Sequence, residues 1–192
     1  LAAAALACAA GVDAEAVASG LRTYSPGAHR IVTVAEADGV TWVDDSKATN
    51  PHSAEAALTS LPQGTGVWIC GGDTKGAQFF DLVRTVRPHL RGAVVIGKDQ
   101  SDILAALEQE APGLPVTRIS HAAPEQVSAA AVEAAGTMAR SGDTVMLAPA
   151  CASWDQFTSY AQRGDLFAAA AKAYAGGGTP ETTDASGVQE KL

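Results

Sequence analysis

The sequence is short of positive charge. Its 192 residues carry 13 Lys and Arg against 21 Asp and Glu, a formal net charge of −8. Nucleic acids and anionic membrane surfaces are held by clustered cations, so the balance argues against a broad surface for either. It does not exclude a small anionic ligand gripped by one or two well-placed lysines. Cysteine is scarce too. Cys8, Cys70 and Cys151 are odd in number and lack CxxC or CxxH spacing, which fits a reducing cytoplasm rather than a disulfide framework. Cys70 lies in an apolar run and reads as a small core residue. Cys151 sits beside a polar cluster and could be alkylated, but no paired histidine makes it a nucleophile.

Other absences narrow the chemistry. His29, His52, His89 and His121 show no HxxxH or HExxH spacing, so a zinc centre is not expected and no metal ligand is assigned. His89 and His121 read as ordinary surface residues. No Ser–His–Asp arrangement can be assigned from sequence order alone. There is no GxxxxGKS/T loop, and no GxGxxG follows a strand-like run, which weighs against a dinucleotide-dependent oxidoreductase. No apolar run is long enough to span a bilayer. The opening "LAAAALACAAG" lacks a basic leader and reads as a helix cut from something larger.

What is present is an alternation of strand-like and helix-like segments, with 47% apolar residues to fill a core. Residues 30–35 ("RIVTVA") and 40–43 flank the turn "EADG" and look like a hairpin. Residues 51–61 read as a helix with Asn50 as N-cap and Pro51 in first position. "GVWIC" (66–70) has the continuous apolar character of a strand buried on both faces. Helices are then expected at 79–90, 101–110, 124–140 and 154–174, and strands at 93–96, 116–119 and 144–147. Repeated units of this length predict an α/β fold: a Rossmann-like, doubly wound, mostly parallel sheet with an N-terminal hairpin and helices on both faces. Residues 1–27 are too few for a core of their own. The tail 176–192, "GGGTPETTDASGVQEKL", lacks apolar periodicity and is expected to be disordered.

Doubly wound sheets bind ligands outside the carboxyl ends of their strands, and three polar clusters fall at such ends. In "DDSKATNP" (44–51), Asp45, Lys47 and Thr49 offer an acceptor, a cation and a hydroxyl just before a helix N-terminus. That is either a natural anion site or a set of turn and cap bonds beside a solvated lysine. In "CGGDTKGAQF" (70–79), paired glycines allow close backbone approach and Lys75 precedes a helix; Gly-rich turns are also common structural punctuation. In "APACASWDQFTSYAQRGD" (148–165), Ser153 and Gln156 match the capping box S-x-x-Q. This is either a capped helix start or, with the Ser153 hydroxyl, a carboxylate pocket. Arg163 reads as a structural ion-pair partner.

Together these segments resemble the Mur ligase family, most narrowly its D-glutamate-adding members. The resemblance rests on "HR" (29–30), "VDDSKATNPHSAEAAL" (43–58), "GGDTKG" (71–76) and "LAPACASWDQFTSYAQRGDLF" (147–167), in that order, and covers about residues 1–174. Sister ligases and folylpolyglutamate synthetases typically carry a "DYAHNP"-like run where this chain has "DSKATNP". The resemblance implies a cytoplasmic, monomeric enzyme that uses ATP and Mg2+ to join D-glutamate to UDP-N-acetylmuramoyl-L-alanine in peptidoglycan synthesis. It implies that residues 1–27 end a central ATPase domain and that 28–175 form the D-glutamate-binding domain. Carried over residue by residue, Arg30, Asp45 and His29 would face the nucleotide and Lys47 the reacting phosphate. Thr49, Lys75, Ser153, Trp154 and Tyr160 would hold D-glutamate. Trp154 stands where the resembling enzymes usually have Leu, and Tyr160 where Phe is common. Without a P-loop, the chain is expected to be a fragment inactive by itself, to bind no nucleotide cofactor alone, and to have no nucleic-acid or membrane partner. The alternatives are another Mur-type or folylpolyglutamate-type amide ligase, or a non-catalytic α/β ligand-binding module.

Overall fold

The computed structural model describes residues 2–24, 27–120 and 123–177. From residue 178 onward the expected disordered tail lies outside the described residues, as does His121. The alternating segments assemble into one six-stranded sheet of order β1-β2-β6-β3-β4-β5. Strands β1 (Val32–Ala37) and β2 (Val40–Asp44) form the expected antiparallel hairpin. Strand β2 then pairs in parallel with β6 (Thr144–Leu147), and β6 with β3 (Gly66–Gly71). Strands β4 (Leu90–Ile96) and β5 (Val116–Arg118) complete the parallel set.

A parallel strand covered on both faces must be apolar at successive positions, and every residue of β3 is buried. Its side chains alternate between two cores. Trp68 and Cys70 pack with Leu58, Phe79, Val83 and Ile103 beneath α3 (Pro51–Leu58), α4 (Phe80–Val86) and α5 (Ser101–Glu110). Val67 and Ile69 pack with Trp42, Val127 and Phe167 beneath α6 (Pro124–Met138) and α7 (Tyr160–Ala175). The doubly wound expectation therefore holds. Trp68 is fully buried and its indole N–H donates to the Ala148 carbonyl at 2.7 Å. Truncating such a ring costs about 3–5 kcal/mol.

Local chemistry sets several boundaries where expected. Asn50 Oδ1 accepts the Ser53 N–H at 2.9 Å and Pro51 occupies the first turn of α3, a cap worth about 1 kcal/mol. Two helices differ from expectation by more than three residues at one end. The one expected over 79–90 ends at Val86 and passes through a 3-10 turn, Arg87–His89. Pro88 has no N–H to continue the α-helical ladder, and Leu90 is already paired with Gly66 in the sheet. The last helix begins at Tyr160 rather than at 154. His89 is not a plain surface residue either: it is half-buried, with Nδ1 2.6 Å from the Leu61 carbonyl oxygen.

Ahead of the sheet lie α1 (Ala2–Ala9) and α2 (Ala14–Thr23), the latter capped by Asp13. Neither contributes a buried residue, and Leu6 and Leu21 are exposed. Among the described residues, no helix is long and apolar enough to cross a membrane.

Candidate functional site

The three polar clusters follow β2, β6 and β3, which are neighbours in the sheet. From β2 and β3 the chain turns to the α3–α4 face, and from β6 to the α7 face. Loops leaving to opposite faces open a crevice at the strand ends. The loop after β6 is the spine that joins the other two. On one side the Ala150 N–H donates to the Ala48 carbonyl at 2.9 Å. On the other, Asp73 and Ala152 exchange main-chain hydrogen bonds of 3.0 and 2.9 Å. That approach depends on Gly72, with φ 131° and its missing Cβ only 2.3 Å from the Ala152 carbonyl oxygen.

Arg163, buried on α7, fastens the same junction from below. Its Nε donates to the Ser46 hydroxyl at 3.0 Å and its Nη2 to the Ser46 carbonyl at 2.9 Å. Nη1 reaches the carbonyls of Cys151 and Ala152, each at 3.3 Å. Its role is structural, as the sequence suggests, but its partners are a hydroxyl and carbonyls, so the ion-pair reading is corrected. Burial pulls its pKa down to about 10, against the opposing charges of Cys151, Asp155 and Asp44.

His29 and Asp44 form a second fastening, with Nδ1 2.6 Å from Oδ2. Asp44 Oδ1 also accepts the Ser46 N–H at 2.8 Å. Gly164 permits this pair: a Cβ there would stand 2.2 Å from His29 Nδ1 and 2.7 Å from Asp44 Oδ2. Beside it, Asp45 is buried, and its pKa is pushed up to about 6. Burial is the main cause and Asp44 adds to it; the Ile31 main-chain N–H and the Arg30 charge oppose it. Arg30 itself is exposed.

Lys47 is half-buried, with its main-chain N–H donating to the His29 carbonyl at 3.0 Å. Its ammonium lies 3.7 Å from the centroid of the Tyr160 ring. Such a contact is worth about 0.5–1 kcal/mol when exposed and about 2 when desolvated. Tyr160 in turn meets His29 edge to face, with ring centroids 6.1 Å apart. Thr49 is half-buried in the following turn, its N–H donating to the Lys47 carbonyl at 2.8 Å. Lys75 is exposed on the β3 loop, where its N–H donates to Asp73 Oδ1 at 3.1 Å.

Ser153 is buried and Trp154 is 68% exposed. The pairing of Ser153 with Gln156 as a helix cap is corrected. The Ser153 carbonyl starts a single turn, accepting the Phe157 N–H at 2.8 Å. The cap of α7 is a second S-x-x-Q six residues on: Ser159 Oγ accepts the Gln162 N–H at 3.0 Å. Gln156 and Asp155 are engaged elsewhere, accepting the N–H groups of Gly97 at 2.8 Å and Lys98 at 2.9 Å. They pin the loop across the end of β4. Cys151, considered open to alkylation, is buried and its thiol is pushed up to about 12 by that burial, so it is inert. Cys70 is a core residue as expected.

The sequence reading thus missed Asp44, Ser46, Asp155 and Gly164 as organising residues and read Gln156 only as a cap partner. The duplicated S-x-x-Q was a visible signal for the last loop; the others depend on contacts distant in sequence. Among the described residues, no group of three or more His, Cys, Asp or Glu side chains converges as a metal site requires. The magnesium implied by resemblance finds no ligand set in them. A cavity of about 200 Å³ lined by Trp42, Arg140 and Tyr174 opens beside the β1–β2 turn, remote from the three strand ends where the polar chemistry gathers.

Residues 29–151 match the family model described as Mur ligase, glutamate ligase domain. The chain belongs to the Mur ligase family. It is 53% identical over 176 residues to the UDP-N-acetylmuramoylalanine–D-glutamate ligase of Frankia casuarinae, covering 92% of this chain and 36% of that protein. The same-named ligase of Bifidobacterium longum subsp. infantis is 49% identical over 168 residues, 85% of this chain and 35% of that one. The chain therefore spans about a third of the length of these relatives. Among solved structures, MurF from Acinetobacter baumannii aligns with a TM-score of 0.56 at 17% identity, covering 86% of this chain and 35% of that chain. The Mur ligase fold is thus shared even where sequence similarity is low.

Proposed function

We propose that this Mur ligase domain receives D-glutamate in an ATP-dependent ligase that extends UDP-N-acetylmuramoyl-L-alanine during peptidoglycan synthesis. The observation carrying this reading is the meeting of three polar clusters on neighbouring strands of a domain about half identical to D-glutamate ligases. In this reading residues 28–175 are the acceptor domain and 1–27 close a central ATPase domain. The enzyme works in the cytoplasm as a monomer, without nucleic-acid or membrane partners.

The reaction transfers the terminal phosphoryl group of ATP to the alanine carboxylate, releasing ADP. The amine of D-glutamate attacks the acyl phosphate, the tetrahedral intermediate expels phosphate, and the amine loses a proton as the amide forms. Lys47 offsets the negative charge that develops at the reacting centre. Asp45 accepts from the ribose, with Arg30 and His29 on the nucleotide side of the same loop. Thr49, Lys75 and Ser153 hold the acceptor carboxylates with Trp154 beside them, and Tyr160 flanks the site on the Lys47 side. Mg2+ in the full-length enzyme would offset phosphate charge during transfer; among the described residues of this domain no ligand set for it converges.

The test is acceptor-dependent ADP release by a full-length ligase carrying this domain, with D-glutamate, L-lysine and diaminopimelate compared. Turnover confined to D-glutamate is expected; preference for either of the others overturns the acceptor assignment. The 192-residue chain assayed by itself should release no ADP, since it contains no P-loop.

A further inference from the structure

We propose that Tyr160 is a positioning residue, whose ring face holds the Lys47 ammonium poised toward the reaction centre without neutralising it. This inference rests on the ligase reading above. Among the described residues no carboxylate forms an ion pair with Lys47; its partner is the Tyr160 ring, 3.7 Å away. The difference matters for an anionic substrate. A carboxylate would orient the lysine but cancel its charge, and an incoming phosphate would have to displace it. A ring quadrupole orients the cation and leaves its charge intact. Ordering the flexible side chain before substrate arrives also lowers what ligand binding must supply.

The ring is itself held on several sides. Tyr160 is the first residue of α7, set by the Ser159 cap. Its carbonyl accepts the Ser46 hydroxyl at 2.7 Å, and Ser46 is fixed by Arg163. His29, anchored by Asp44, meets the ring at 77° between planes. The ring face bearing Lys47 is negative and already covered, so it is poorly suited to a substrate carboxylate. Tyr160 therefore acts through Lys47. None of these contacts uses the phenol hydroxyl, so phenylalanine should serve.

Two measurements test this. In NMR spectra of the 192-residue chain, the Lys47 ε-methylene should be shifted upfield by the ring current. The shift should vanish in Tyr160→Leu and persist in Tyr160→Phe; an unchanged shift in Tyr160→Leu overturns the pairing. In the full-length ligase, Tyr160→Leu should lower kcat about 2- to 30-fold with the D-glutamate KM nearly constant. Tyr160→Phe should rescue turnover, and Tyr160→Leu should add nothing to Lys47→Ala. A raised KM with kcat retained would mean that the ring touches the acceptor, overturning the positioning role. The NMR comparison does not depend on catalysis. An enzyme indifferent to D-glutamate would sink the acceptor assignment while leaving the Lys47 shift in place.

Discussion

Arg163 grips Ser46 twice, through the hydroxyl and the main-chain carbonyl, across a separation of 117 residues. The same guanidinium holds Cys151 and Ala152, so one buried side chain ties the loop after β2 to the loop after β6. Arg163→Met would leave the Ser46 and Cys151 carbonyls in the junction without donors, while the Ala152 carbonyl keeps the Asp73 N–H. We expect a loss of about 2–4 kcal/mol, a Tm drop on the order of 10 °C. Arg163→Lys should fall between the two, because an ammonium cannot span the same forked set of acceptors. Thermal melts of the three proteins decide this.

A methyl group at position 164 would intrude on the closest polar contact of the site. Gly164→Ala places a Cβ 2.2 Å from His29 Nδ1, and the His29–Asp44 pair must open to admit it. Overpacking of this kind costs about 1–3 kcal/mol. Denaturant melts should show that loss, and a crystal structure of the variant should show His29 displaced. A variant as stable as the parent with His29 in place would contradict the geometry.

Asp45 gives a signed pH dependence. Its pKa rises from 3.8 to about 6 on folding, so between those values the folded state binds more protons than the unfolded state. Stability contributed by this group is therefore fully present below about pH 4, falls as pH rises through about 6, and is flat above. Asp45→Asn removes the buried charge. Its stability relative to the parent should be greatest at pH 7 and should shrink steadily toward pH 4. A difference that is constant with pH would rule out burial of an ionised Asp45.

The two site lysines should differ in kind. Lys47→Ala in the full-length ligase should lower kcat about 100-fold with a small change in D-glutamate KM. Lys75→Ala should mainly raise that KM, roughly 10-fold or more, as expected for a charged hydrogen bond to a carboxylate. Steady-state kinetics that show equal effects of both on KM alone would contradict the assigned roles.

Trp154 offers an optical probe. Trp42 and Trp68 are buried at 1% and 0% exposure, whereas Trp154 is 68% exposed. Acrylamide should therefore quench Trp154 selectively, and Trp154→Phe should abolish most of that quenching. Saturable protection by D-glutamate in the full-length ligase would support its place beside the acceptor; unchanged quenching at saturation would remove it.

By itself the sequence determined what depends on near neighbours. Hydrophobic period separates β3, apolar throughout, from the amphipathic helices around it, and the Asn50–Pro51 cap fixes where α3 begins. The polar runs at 44–51, 70–79 and 148–165 were visible as site candidates because each follows a strand. Tertiary structure decided whatever required choosing between equal local options. Two S-x-x-Q motifs compete to start the last helix, and Ser159 wins because Asp155 and Gln156 are bound to Gly97 and Lys98 across the sheet. Arg163 could have met a carboxylate, but packing delivered Ser46 and two carbonyls to it. Lys47 could have been solvated, but α7 brings Tyr160 beneath it. Caps and periods are short-range bonding problems that a local stretch can solve. The partner of a buried polar group is set by which strand ends become neighbours, and that follows only from the order β2-β6-β3.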